Sequence, residues 1–151
     1  MVLAEFNPAA QSTPPVERLA VFEGTWAREG APATDAFRET CAWLAGGRRH
    51  LVCQAERPSA NGPVQNLKVH SYRNKTYVVY VAMGNGPAWT YTGGPDGDRW
   101  ILNFQSDRPD NPQRLRMVIT PSPDRIRFVE ESSTNDGLWQ TTEDYTYVRI
   151  K

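Results

Sequence analysis

Two cysteines, two histidines and a scatter of carboxylates and hydroxyls are the residues of this chain with chemistry to offer. Cys41 and Cys53 stand in the stretch ETCAWLAGGRRHLVCQ, placed almost symmetrically about Gly46 and Gly47. They are too far apart for a Cys-x-x-Cys redox motif. With His50 and His70 they could in principle hold zinc. However, neither cysteine has another two to four positions away, and the histidines lack the usual paired spacing. A hairpin is the better reading. A two-residue loop at Gly46-Gly47 pairs positions summing to 93 and puts the cysteines on opposite faces. A three-residue loop, Gly46 to Arg48, pairs positions summing to 94 and sets Cys41 opposite Cys53. The second register predicts a structural disulfide, worth roughly 3 kcal/mol in the chain-entropy model, and with it an oxidising compartment.

The other candidates are weaker. His70 and Tyr72 share a strand face, where a histidine and a phenol can exchange protons. Lone strand histidines are more often exposed or simply hydrogen-bonded. Glu130 and Glu143 fall on what read as neighbouring final strands and could form an acid–base pair, although carboxylates on a meander are usually solvated. Ser71, Ser132 and Ser133 have no Gly-x-Ser-x-Gly context, and no phosphate loop, zinc-protease or dinucleotide fingerprint occurs. No catalytic residue, metal or cofactor is therefore assigned. Formal net charge is zero, and Arg48, Arg49, Arg114, Arg116, Arg125 and Arg127 interleave with apolar residues as on a solvent face. Nucleic acid is disfavoured as a partner. No apolar run approaches the roughly 20 residues of a membrane-spanning helix, so a membrane partner is not expected.

The elements that must position these residues are short. A chain of 151 residues makes one domain most simply. The segment PPVERLAVFEG predicts the only convincing helix, around residues 15 to 23, with Pro15 in the first turn, Leu19 and Phe22 on one face and Gly24 as the stop. Residues 1–13, rich in Ala, Gln, Ser, Thr and Pro, read as a flexible lead-in to a domain over 14–151. The lead-in lacks the basic and apolar regions of a secretory signal. If a signal was removed the protein is periplasmic or secreted, and otherwise cytoplasmic. From Trp26 onward, alternating apolar runs separated by Gly, Pro, Asn and Asp predict about ten strands. No further helical run supplies crossovers, so the sheet should be antiparallel and sequential. Closure into an all-β up-and-down barrel removes the two edges of so large a sheet, with a β-sandwich as the fallback.

The ordered set FEGTW at residues 22 to 26, the hairpin with Cys41, Trp43, Gly46, Gly47 and Cys53, the tyrosine-rich HSYRNKTYVVY and the closing YTYVR resembles the calycin superfamily. It is most similar to the bacterial lipocalin-like domains of unknown function, over residues 18 to 150. The resemblance implies that Gly24 opens the first strand, that Trp26 plugs one end of the barrel, and that Arg149 lies across its indole. It implies no chemistry for that pair. A late histidine of the kind that ligates haem in some relatives is absent. Barrels of this size enclose one small ligand. Trp43, His70, Tyr72, Tyr80, Trp89, Tyr91 and Trp139 are the candidate walls, Trp89 and Tyr91 being the best pair. The expectation is thus a protein, monomer or homodimer, that binds a small hydrophobic or aromatic molecule. The alternative is an isomerase, cyclase or hydrolase using the same cavity.

Overall fold

The structure is a computed structural model that describes residues 13–32, 37–105, 113–134 and 137–151. The expected flexible lead-in, apart from Thr13, lies outside the described residues. A 3-10 helix, Pro15–Phe22, precedes ten strands: β1 (Gly24–Arg28), β2 (Arg38–Trp43), β3 (His50–Arg57), β4 (Val64–Arg73), β5 (Thr76–Met83), β6 (Ala88–Asp96), β7 (Arg99–Gln105), β8 (Gln113–Pro121), β9 (Arg125–Thr134) and β10 (Gln140–Arg149). Each strand pairs antiparallel with its neighbour in sequence, and β1 pairs with β10 to close the barrel. The fallback of two packed sheets is set aside by this closure. No helix among the described residues is long and apolar enough to cross a membrane.

Local chemistry sets the registers. Asn74 and Lys75 both adopt positive φ, 51° and 62°, between the paired residues Arg73 and Thr76. This is the two-residue turn whose twist matches a hairpin. In the β2–β3 hairpin the paired positions sum to 94, and Cys41 faces Cys53, to which it is disulfide-bonded. The loop is wider than the expected three residues. The Leu44 N–H donates to the His50 carbonyl at 2.9 Å, which leaves Ala45 to Arg49 as the turn. A wider loop on the same centre keeps the sum, and so keeps both sulfurs on the inner face.

Gly93 and Gly94 lie inside a strand, since β6 runs through them to Asp96. Their role is close approach. A Cβ on Gly94 would stand 2.9 Å from the Tyr77 ring, and one on Gly93 would collide with the Ile101 carbonyl of β7. Glycine inside a strand marks such contacts.

The helix stops one end of the barrel. With three residues per turn, Leu19 and Phe22 align on one face, and both are buried. The Tyr77 hydroxyl donates to the Pro15 carbonyl at 2.6 Å, and the Trp26 indole N–H donates to the Phe22 carbonyl at 2.9 Å. Phe22 packs edge-on against Trp100, their centroids 5.2 Å apart. The Arg149 guanidinium lies 4.2 Å from the Trp26 ring centroid and donates to the carbonyls of Glu23 and Pro123 at 2.8 and 2.7 Å. Gly24, at φ +129°, leaves room for that guanidinium, with which any Cβ would collide. Leu51, Ile126 and Tyr147 complete the core around this plug.

Candidate ligand-binding cavity

Above the plug the barrel is not filled. A cavity of about 220 Å³ lies between the inner faces of β4 to β10, with the Arg57 end of β3 at its rim. Register explains its walls. His70 is opposite Val79, Val79 opposite Tyr91, and Val81 opposite Trp89, so these side chains share the inner face. Leu102, Met117, Ile119, Phe128 and Tyr145 continue the apolar wall around the barrel. Phe128 and Tyr145 stack with centroids 5.1 Å apart.

His70 forms part of the floor, stacked on Phe22 at 5.3 Å, and its Nδ1 has no hydrogen-bond partner among the described residues. Burial, with the nearby Lys68 ammonium, depresses its pKa to about 3, so the ring is neutral at physiological pH. Lys68, next on the same face of β4, makes an ion pair with buried Glu39 of β2 at 2.7 Å. Asn66, one step further toward the rim, is buried with its Oδ1 unpartnered. Across the cavity Glu130 and Glu143 are directly opposed on β9 and β10, with a bulge between Thr141 and Glu143. Burial, then the neighbouring Glu143, raises the Glu130 pKa. The Tyr91 and Tyr145 hydroxyls are also held protonated beyond their ordinary range, chiefly by burial.

The structure brings together three of the seven residues expected to line the cavity: His70, Trp89 and Tyr91. It corrects the other four. Tyr80 alternates with the inward Val79 and Val81 and stands 45% exposed on the outer face. Trp139 is held outside by the guanidinium groups of Arg114 and Arg116, at 5.1 and 4.1 Å from its ring. Trp43 lies at the plugged end, donating to Glu23 at 3.2 Å beneath the Arg48 guanidinium. Tyr72 packs on Tyr77 at 4.7 Å, below the cavity and against the helix end, so it does not form a proton-transfer site with His70 there.

Asn66, Lys68 and Glu39 were not among the expected site residues. Their signal lay in the hairpin arithmetic. The two-residue turn at Asn74-Lys75 pairs Asn66, Lys68 and His70 with Met83, Val81 and Val79. The polar set of β4 is thereby committed to the same face as an apolar set of β5.

Glu39, Cys41 and Cys53 bring three possible ligand atoms within 4.8 Å of one another. The sulfurs are bonded to each other, and a metal thiolate would require that bond to be reduced. The cavity therefore offers shape, aromatic surface and a few unpartnered polar atoms. No nucleophile with an adjacent base is assembled among the groups described. Neither any protein-family model nor any curated protein matches the chain.

Proposed function

We propose that this protein binds one small molecule with an apolar, ring-containing body inside the barrel. The observation that carries the reading is the cavity of about 220 Å³ above a packed plug, walled by Trp89, Tyr91, Phe128 and Tyr145. An apolar cavity near 150 Å³ admits benzene, so this one has room for a ring with a short arm. Burying about 150 Å² of ligand apolar area would contribute roughly 4 kcal/mol. After association costs, that corresponds to affinity in the micromolar range or weaker. The Trp26–Arg149 stack and the glycine-opened first strand support kinship with the calycin superfamily, whose members mostly hold apolar ligands in this way. The catalytic alternative is less well supported: no hydrogen bond joins the neutral His70 Nδ1 to an acid or nucleophile among the described residues, and Tyr72 packs on Tyr77 below the cavity.

The test is titration of one-ring aromatic compounds followed by tryptophan emission and by amide chemical shifts. Saturable shifts confined to β5, β6, β9 and β10 are expected. No saturable response from any compound would overturn the reading. Native mass spectrometry of the freshly purified protein offers a second route, through a carried mass.

A further inference from the structure

The polar groups left over inside the cavity restrict what its ligand can be. Lys68 is neutralised by Glu39 at 2.7 Å. Arg57, exposed at the rim, is drawn to the Phe37 ring at 5.1 Å and to the Tyr147 hydroxyl. Glu130 and Glu143 face each other, and no ion pair holds either of them among the described residues. Asn66, only 8% exposed, presents an Oδ1 with no donor, and at the floor the neutral His70 presents an Nδ1 that accepts or donates according to its tautomer. Among the described residues the one buried donor beside these acceptors, the Trp89 indole N–H, is turned toward the Tyr91 hydroxyl. The unpartnered set is rich in acceptors and negative charge, and it is rimmed by aromatic faces. A buried acceptor without a donor destabilises the empty protein and favours any ligand that supplies one. Aromatic faces and a carboxylate pair suit the same guest, an ammonium group.

We propose that the ligand of this cavity is a small primary or secondary amine carried on a ring. Its ammonium group would sit between Glu130 and Glu143 within reach of Asn66, with its ring against Trp89, Tyr91 and Phe128. This rests on the reading of the barrel as a binding protein and adds the charge of its guest. Carboxylate ligands are disfavoured, because the two cations that line the cavity are already engaged and two unpaired carboxylates would face the newcomer.

Three probes of similar shape separate the two ideas: 2-phenylethylamine, 3-phenylpropanoate and propylbenzene. Each is titrated into the full chain at neutral pH and low salt, with calorimetry and tryptophan emission as readouts. The amine is expected to bind about tenfold tighter than propylbenzene, the worth of one charge-assisted hydrogen bond, and the carboxylate weakest of the three. Glu130→Gln should cut the amine-to-propylbenzene affinity ratio about tenfold. Glu143→Gln, at an exposed position where folding is safe, should cut it by a smaller factor. Equal affinities for amine and propylbenzene, or a preference for the carboxylate, would overturn the amine inference and leave the binding proposal standing. No binding by any probe would overturn both.

Discussion

At its helix end the barrel is closed by Leu19, Phe22 and Trp26, whose backbone and indole hydrogen bonds are made and whose rings touch Trp100 and Arg149. At its other end the same strands present Asn66, Glu130 and Glu143 to a space they do not fill. Strand pairing runs on through both ends, broken at the open end only by the bulge between Thr141 and Glu143, so the difference lies mainly in side chains. Where polar groups find partners inside the chain, the barrel behaves as a core. Where they do not, the fold carries a cost that only another molecule removes. Residues at the two ends should therefore respond to different degrees to the same kind of substitution.

The sharpest way to break that contrast is to truncate one tryptophan from each end. Trp26→Ala removes a fully buried ring, its hydrogen bond to Phe22 and the support of Arg149, and should destabilise the protein by about 4 kcal/mol. Trp89→Ala, in a cavity wall with empty space before it, should cost about 1 kcal/mol while abolishing ligand response. Urea unfolding of both variants measures the difference. Equal losses would mean that the open end is core after all.

The Cys41–Cys53 bond ties β2 to β3 partway between the ends, two residues from the buried Glu39 that holds Lys68. Replacing both cysteines with serine, or adding reductant, should lower stability by about 3 kcal/mol. Hydrogen exchange should rise more around Asn66 than around Leu19 and Phe22. Faster exchange at the plug than at the rim would reverse the assignment of the two ends.

His70 sits on the boundary between them. Its folded pKa, about 3, lies below the ordinary 6.5. Below pH 6.5 the unfolded chain takes up a proton that the folded one refuses. Stability from this group is therefore complete above 6.5 and falls as pH drops toward 3, by up to about 1.4 kcal/mol per unit. Denaturant melts from pH 7 to pH 4 should show this slope in the wild type and a flatter one in His70→Gln. Parallel curves would place the imidazole in contact with water.

Glu130 is the opposite case and the smallest effect. Its pKa is raised, so the folded state holds the proton longer than the unfolded state does. Stability is then greatest below the ordinary carboxylate range and declines as pH rises through the raised value. At neutral pH Glu130→Gln should stabilise the ligand-free protein by about 0.5 kcal/mol after solvent screening. A destabilised variant would show that the carboxylate has a partner in the empty protein.

How far the sequence reveals these two ends differs between them. The plug is legible because its signals are local: Pro15, the Leu19–Phe22 spacing, Gly24 and Trp26 follow one another within a dozen residues. The disulfide is legible because hairpin pairing is a sum, indifferent to whether the loop holds three residues or five. The cavity is less so. In β4 the polar Asn66, Lys68 and His70 alternate with Leu67 and Val69, and ordinary amphipathic reasoning turns the apolar set inward. The barrel does the reverse, because the turn at Asn74-Lys75 couples the polar set to Val79 and Val81. Aromatic type alone also misleads. Tyr80 and Trp139 have the same appetite for burial as Tyr91 and Trp89, but strand parity exposes Tyr80 and two arginines hold Trp139 outside.

The ladder between β1 and β10 has a consequence for how the molecule comes together in time. Nine of the ten ladders join strands adjacent along the chain, hairpins able to zip from their own turns. Only the seam, where Trp26 meets Arg149 and Ala27 meets Val148, joins segments more than a hundred residues apart. Before that contact forms, the chain is an open ribbon with two unpaired edges and an exposed Trp26. Closing it is a single long-range search with its entropic cost borne at one moment. The seam is thus the contact that folding is expected to make last. Until it shuts, the nascent sheet is at its most prone to stick to a neighbour, edge to edge.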